Sequence, residues 1–297
     1  MSTLILTQVN VWLDVVFFTL YPIVLVALGV HFLGNVLTGR AYRRFVKWQW
    51  PEHDHAPIKA LPKFLHFQHL VCIGLLVLSG LYIRFPFFTG GRPFMRGVHY
   101  FAMTVVMVNL IWRLWFAYGS RVRDYREFVV NRRDITTMPQ VLMYYVFIKP
   151  SKPHLGKYNV MQKSTYILFV PMLIVQALTG LALLEFWKLP VINMTMSDLI
   201  VGWWLGPLIG STSLAVAYAR IVHYVINWLF ILLVTIHVYL SVSEDFAAFL
   251  DFFGLGFLDK RHAQGKAGPA ASPGHTPIPA PNALADDVHG ATGSDLL

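Results

Sequence analysis

The chain has 297 residues, of which 56% are hydrophobic and only 13% are charged, whereas a soluble domain has about 25% charged residues. Its mean hydropathy of +0.55 excludes a soluble domain with a single core, and several apolar runs of about 20 residues fit the roughly 30 Å hydrocarbon layer of a bilayer. The net charge of +9 comes from loops between these runs, which argues against nucleic-acid binding and indicates membrane orientation signals.

Five apolar runs are predicted to be transmembrane helices, and they cover residues 11–36, 64–86, 98–118, 164–186 and 220–243. No cleavable signal peptide is expected, because the first run has no basic region before it and no small-residue cleavage site after it. A sixth run, from Leu199 to Gly210, is too short and too rich in glycine and proline to cross a bilayer. We expect it to lie in the membrane interface or to pack over the bundle.

Basic residues are unevenly divided between the two sides of these spans. Segments 37–63 and 119–163 together contain fifteen lysines and arginines. The loops on the opposite side contain three, namely Arg92, Arg96 and Lys188. The positive-inside rule therefore predicts a multi-pass protein of the bacterial inner membrane, with a periplasmic N-terminus and a cytoplasmic C-terminus. The Gly/Pro/Ala-rich residues after Lys260 are predicted to be disordered.

Five histidines lie in or at the edge of the second, third and fifth spans: His66, His69, His99, His223 and His237. A charged or ionisable side chain in a membrane is costly, so each marks a candidate functional site, although a hydrogen bond to a neighbouring helix explains a single one equally well. His223 and His237 are 14 residues apart on one helix, which places them about 21 Å apart along its axis and within about 40° of each other. One helix face thus presents two imidazoles near opposite sides of the bilayer, as two stacked haems require.

The orientation of the spans provides a partner for each of these histidines. The fifth span runs from outside to inside, so His223 is outer and His237 is inner. His99 begins the third span at the outer level, and His66 begins the second span at the inner level. Neutral imidazole is a good iron ligand, and a helix bundle can hold the macrocycle. We therefore predict two haem b groups, ligated by His99 with His223 and by His66 with His237; helical periodicity alone does not separate His66 from His69.

Other polar residues in the spans are candidates for supporting roles. Arg113 lies in the inner part of the third span, where an arginine at the bilayer centre costs about 2.5–3.5 kcal/mol, and a haem propionate or a lipid phosphate would offset that cost. Arg96 and Arg220 are possible outer equivalents, but snorkelling to the interface is the favoured explanation for Arg84 and Arg220. His31 in the first span has two explanations, the border of a quinone pocket or, as favoured, a hydrogen bond between helices.

Small residues occur in the second and fourth spans at Gly74, Ser79, Gly80, Thr179 and Gly180. They would allow a flat cofactor to approach the backbone, and close packing of helices explains them equally well.

Two other classes of membrane protein are compatible with five spans. A haem-free transporter usually has intramembrane carboxylates and broken helices, but here the carboxylates in or beside spans are Asp14 and Glu185, and Pro171 is the one clear breaker. A pure membrane anchor needs no paired histidines. The single cysteine, Cys72, excludes iron–sulfur clusters and covalent CxxCH haem attachment in this chain.

From Lys63 to Asp245 the sequence resembles the bacterial cytochrome b561-like subunits of nickel–iron hydrogenases and formate dehydrogenases. The segment KFLHFQHLVCIGLLVLSG is similar to the family's R-x-x-H-W…T-G span, whose ligand lies 14 residues before the glycine; this implies His66 as the ligand, with Phe67 in place of the usual tryptophan. RGVHYFAMTVVMVNLIWRLWFAYGS has His99 in the ligand position and Arg113 at a family arginine. The family's last span, with its two histidines 14 residues apart, is matched by RIVHYVINWLFILLVTIHVYLSVSED.

The resemblance implies an all-α integral membrane fold, a four-helix haem-binding bundle plus one extra N-terminal transmembrane helix. Its domains would be 1–62, the extra helix and a basic loop; 63–250, the di-haem cytochrome b; and 251–297, the tail. It also implies an electron-transfer subunit without substrate-bond chemistry of its own. A periplasmic iron–sulfur subunit, joined to a catalytic subunit, would supply electrons that cross from the outer to the inner haem and reduce a quinone near the cytoplasm.

The resemblance also suggests residues for the quinone pocket. GKYNVMQK, which begins at Gly156, matches the start of the family's third span, and it makes Gly156, Asn159 and His237 the pocket candidates. A helix N-cap at Asn159 explains the same motif. GKYN is typical of formate dehydrogenase or another molybdenum enzyme, whereas the trailing Glu244-Asp245 is typical of hydrogenase cytochromes, so the catalytic partner stays open.

Overall fold

The computed structural model describes residues 2–50, 60–120, 123–153, 160–185, 188–191 and 193–258. Within these ranges the chain is helical, apart from loops and an isolated β-bridge between Lys188 and Thr195. The predicted disordered tail lies outside the described residues.

Five long helices account for most of the described chain: α1 (Ser2–Leu37), α2 (Ala60–Arg84), α3 (Arg92–Gly119), α5 (Val160–Ala182) and α7 (Thr212–Glu244). Each is long and apolar enough to cross a membrane. Three short helices complete the order: α4 (Arg132–Tyr145), α6 (Leu205–Ile209) and α8 (Phe246–Phe252). The predicted all-α membrane fold with five spans is confirmed.

The helices α2, α3, α5 and α7 form a four-helix core. α2 packs along α3 through a cluster of buried side chains, Cys72, Ala102 and Val106. α5 packs along α7 through a second cluster, Met172, Ile226 and Phe230. Leu173 of α5 packs against both clusters and so joins the two helix pairs.

The extra helix α1 packs against α7 and is the least buried of the five. The Phe17 ring stacks on Trp228, with ring centroids 5.4 Å apart and planes 6° apart. The Asp14 carboxylate accepts hydrogen bonds from Arg84 at 2.7 Å and from the Tyr224 hydroxyl at 2.6 Å. Arg84, for which snorkelling was expected, thus has a partner on α1.

The turn that follows α1, Tyr42–Val46, is fastened to the end of α7 by ion pairs. The guanidinium of Arg44 donates to Glu244 at 2.9 Å, to the Ser243 carbonyl at 2.7 Å and to the Tyr144 hydroxyl. The Lys152 ammonium lies 2.5 Å from the same carboxylate. Burial lowers the pKa of Lys152, but the Glu244 charge outweighs this effect and raises it above its usual value. Since removing one member of a buried ion pair leaves an uncompensated charge, this cluster ties α1 firmly to the core.

The structure places α7 earlier in the chain than the sequence predicted. The helix begins at Thr212, eight residues before the predicted boundary at Arg220. Gly210, with φ of 101°, ends α6, and the Ser211 hydroxyl accepts a hydrogen bond from the Leu214 amide. A glycine that ends one helix and a serine that caps the next are strong boundary signals, and they set the start of α7 at Thr212.

The sixth apolar run packs over the bundle, which was one of its two predicted positions. It forms a π-helical turn, Asp198–Gly202, followed by α6. Val201 packs in a buried cluster with Ala182 at the end of α5 and with Ala215 and Ala219 near the start of α7.

Helix α4 lies in a segment that the sequence analysis treated as a loop. Its N-terminus is closed by a capping box, in which the Asn131 side chain accepts from the Asp134 amide and the Asp134 carboxylate accepts from the Asn131 amide, each at 2.9 Å. The Lys163 ammonium on α5 donates to the same carboxylate at 2.8 Å. α4 is therefore anchored to the four-helix core.

Candidate functional site

Two pairs of histidine rings face each other between the core helices. The rings of His99 on α3 and His223 on α7 have centroids 6.4 Å apart, and their planes meet at 61°. The rings of His66 on α2 and His237 on α7 have centroids 6.3 Å apart, with planes at 53°. The two ends of the bundle are named here the His223 end and the His237 end. A 14-residue spacing on α7 thus supplies one imidazole to each pair.

The separation within each pair fits a metal held by two imidazoles. Metal–imidazole bonds are about 2.0–2.1 Å long and the ring centroid lies about 1.1 Å behind the bonded nitrogen, so imidazoles on opposite sides of one metal have centroids about 6.3 Å apart. The separations of 6.4 and 6.3 Å match this value. The donor set of four neutral imidazoles in an apolar bundle is suited to haem iron.

At the His223 end, α2 contacts the ring of His99 through two small residues. The Ser79 hydroxyl oxygen lies 2.9 Å from His99 Nδ1. A Cβ atom added to Gly80 would lie 3.5 Å from His99 Cε1. The hydroxyl therefore orients the ring, and the glycine leaves space for it.

α5 contacts His223 in the same way. His223 Nδ1 lies 3.1 Å from the Thr179 hydroxyl and 3.2 Å from the Gln176 carbonyl. A Cβ atom on Gly180 would lie 3.2 Å from His223 Cε1. The Gln176 side-chain nitrogen lies 3.2 Å from His223 Nε2, and a metal bound at Nε2 would replace that contact. Four of the five small residues of the second and fourth spans thus meet the two histidine rings of this end, whereas a Cβ atom on Gly74 would meet nothing within 4 Å.

The rings of the His66–His237 pair have an aromatic neighbour. The Phe252 ring of α8 packs edge-on against His66, with centroids 4.3 Å apart. Within the part of the chain that the structure describes, no hydrogen bond to a ring nitrogen is found for His66 or His237. His69, one turn along α2 from His66, has a buried Nε2 without a hydrogen-bond partner among the described residues, and the ring that faces His237 is that of His66.

The remaining predicted residues are found in three situations. Arg113 is half-buried on α3, with its guanidinium 5.8 Å from the centroid of the Phe116 ring. Gly156 and Asn159 lie outside the described residues. His31 Nδ1 lies 2.6 Å from the Tyr239 hydroxyl, so the favoured hydrogen bond between helices is present.

Sequence comparison gives the family. A search among curated proteins found no match. The model of the family described as prokaryotic cytochrome b561 matches residues 58–253, which include all four core helices and both histidine pairs, whereas α1 precedes the match. The chain therefore belongs to the prokaryotic cytochrome b561 family, whose members are haem b electron-transfer proteins of the bacterial membrane.

Proposed function

We propose that the chain is the di-haem cytochrome b subunit of a larger oxidoreductase and passes electrons from a periplasmic iron–sulfur subunit to the membrane quinone pool. The observation that carries this proposal is the presence of two histidine pairs at two depths, with centroids 6.4 and 6.3 Å apart. A structural histidine needs only one hydrogen-bond partner. Ligation of two haems, each by two histidines, needs two such pairs.

The chain would act by positioning two redox groups. Haem b bound between each pair would supply one-electron chemistry, and ligation by two imidazoles leaves no open iron position for oxygen chemistry. His99, His223, His66 and His237 would be the ligands. Arg113 is proposed to interact with a propionate, which would offset the cost of its charge in the membrane.

The distribution of basic residues gives the proposed direction. Fifteen lysines and arginines on one side against three on the other favour a periplasmic His223 end and a cytoplasmic His237 end. Electrons would then arrive at the His223 end and leave at the His237 end, and quinone reduction would take up protons on the cytoplasmic side. The partner is proposed to be a hydrogenase or a formate dehydrogenase-type molybdoenzyme, and co-purification of the native complex would identify it.

The quinone is proposed to bind at the His237 end. The resemblance suggests Gly156, Asn159 and His237 for this pocket. An apolar groove of about 700 Å³ between α1 and α7 reaches the same end and has Gly29 and Tyr239 in its lining. This groove is a second possible quinone site, and it lies on the side of α7 opposite His237.

An optical spectrum of the purified chain tests the proposal against its alternatives. We expect reducible b-type bands and two haems per chain. The variant His223→Ala should lose one haem and retain the other, because the two pairs share no ligand. A stably inserted wild-type protein without b-type bands would instead be a transporter or an anchor, and loss of both haems from stably inserted His223→Ala would contradict independent sites.

A further inference from the structure

The two histidines of the His223 end are held by the same pair of residue types on two different helices. Ser79-Gly80 on α2 contacts His99, and Thr179-Gly180 on α5 contacts His223. In each case a hydroxyl meets Nδ1, and the following glycine lies against Cε1. At the His223 end, each of the two histidines is therefore contacted by a hydroxyl and a glycine from a neighbouring helix.

The hydrogen bonds of the two hydroxyls determine which histidine nitrogen carries the proton. Ser79 Oγ donates to the Leu75 carbonyl at 2.6 Å, and Thr179 Oγ1 donates to the Val175 carbonyl at 2.7 Å. A hydroxyl has one proton, and each is already used in these bonds. The same oxygens can therefore only accept from the histidines, so His99 Nδ1 and His223 Nδ1 must be the donors.

A second contact gives the same answer for His223 independently. Its Nδ1 lies 3.2 Å from the backbone carbonyl of Gln176, and a carbonyl oxygen can only accept. With Nδ1 protonated in both rings, Nε2 carries the lone pair, which is the state required for bonding iron. No comparable hydrogen bond to the ring nitrogens of His66 or His237 is found among the described residues.

We propose that Ser79 and Thr179 are positioning residues that fix the ligand tautomer at the His223 end and make the haem of this end the one with the lower reduction potential. This inference rests on the proposed function, since it requires a haem at each end. Hydrogen bonding to Nδ1–H raises the basicity of a ligating imidazole, and a more basic ligand stabilises Fe(III) more than Fe(II).

The consequence is a downhill direction built into the chain. Haem held by His99 and His223 would give one electron to haem held by His66 and His237, so that the first iron would be oxidised as the second is reduced, without exchange of a proton or a bond. The difference in ligand support therefore favours transfer towards the His237 end.

Redox titration of the purified chain, followed by optical spectroscopy, tests the inference. The variant His223→Ala first assigns the spectral components to the two ends. We expect the His223-end haem to have the lower potential, and Thr179→Val and Ser79→Ala each to raise it. A tenfold change in the Fe(III)/Fe(II) equilibrium, the lower end of typical effects of outer ligand partners, corresponds to about 59 mV for one electron. The potential of the other haem should not change.

Thr165→Val is the matched control, because Thr165 is on α5 and its hydroxyl also donates to the carbonyl four residues before it, that of Met161 at 2.9 Å. Equal potentials in Thr165→Val and Thr179→Val, or a wild-type His223-end haem with the higher potential, would overturn the inference. If Thr179→Val loses this haem, the variant Thr179→Ser is measured instead. Retention of the haem at the wild-type potential would support the inference, and loss of the haem would overturn it. A wild type with fewer than two haems per chain would instead contradict the proposed function.

Discussion

His66 and His69 lie one turn apart on α2, and the sequence pattern alone gives them equal standing as ligands. In the structure the ring of His66 lies beside that of His237, with centroids 6.3 Å apart. The Nε2 atom of His69 is instead buried without a hydrogen-bond partner among the described residues. A buried polar atom without a partner is costly, so His69 is expected to serve a neighbouring group other than the iron.

Substitution of the two histidines should therefore give different spectra. His66→Ala is expected to remove the haem of the His237 end, whereas His69→Ala is expected to retain two haems per chain. Haem quantification together with the optical spectrum measures the difference. Retention of both haems in His66→Ala with loss of one in His69→Ala would reverse the assignment.

At the scale of single residues, the sequence predicted which histidines lie together. The 14-residue spacing on one helix, combined with the direction of each span, led to the two pairs whose rings lie together in the structure. The hydrogen bonds of Ser79 and Thr179 to the histidines were not predicted. They depend on how α2 and α5 are rotated about their own axes, and the spacing of residues in the sequence does not determine that rotation.

Among the helices, α4 has one carboxylate near its N-terminus that makes two separate attachments. The side chain of Asp134 is 6% exposed and serves both the capping box and the ion pair with Lys163. Burial raises the pKa of Asp134, but the hydrogen bond from Lys163, the amide of Asn131 and the charges of Lys163 and Arg133 outweigh it and lower the pKa below its usual value. The stabilisation is therefore complete above the unfolded-state pKa and is lost as the pH falls through the folded-state pKa.

The variant Asp134→Ala is expected to loosen α4 by about 1–3 kcal/mol, because the helix loses its cap and Lys163 loses its partner. Amide hydrogen exchange across residues 131–145 measures this, and the wild type should show the same loosening only at pH values below about 3.9. Thr136→Ala, at an exposed position on the same helix, is the control. Equal exchange rates in the two variants would show that α4 is held by other contacts.

The helices were predictable in proportion to their length and apolar character. The five spanning helices follow directly from runs of about 20 apolar residues. α4 was missed because its 14 residues are too short and too polar for that criterion, although Asn131 and Asp134 have the spacing of a capping box. The start of α7 was misplaced because the prediction followed the apolar run from residue 220, whereas the helix begins directly after Gly210 and Ser211.

For the molecule as a whole, α1 raises the question of why the family's four helices carry a fifth. It is held to the core at two levels, by Asp14 within the helix at the His223 end and by Arg44 in the turn that follows the helix at the His237 end. Between these attachments it forms one wall of the groove beside Tyr239. A helix that closes an apolar groove beside the exit site would act on the quinone rather than on the haems.

Filling the groove tests whether quinone uses it. Gly29 lines the groove, and a Cβ atom there would meet nothing within 4 Å, so Gly29→Leu should occupy the space without displacing α1. We expect unchanged haem content and about tenfold slower oxidation of the reduced haems by a soluble quinone analogue, equivalent to a loss of about 1.4 kcal/mol of binding. Stopped-flow spectroscopy measures the rate.

Ala27→Leu is the control, since Ala27 is exposed on the same helix and does not line the groove. Equal rates in the two variants would exclude the groove and leave the pocket suggested by Gly156 and Asn159.

Because α7 carries one member of each histidine pair, the distance between the two sites is a property of a single continuous helix. The 14 residues from His223 to His237 fix it at about 21 Å along the axis, whatever the other helices do. An insertion of one or two residues in this segment would turn one imidazole away by about 100–200° and break a pair. Seven more residues would restore the facing but lengthen the gap by about 10 Å. An insertion or deletion of one or two residues between these two histidines is thus expected to separate at least one pair, whatever side chains the interval contains.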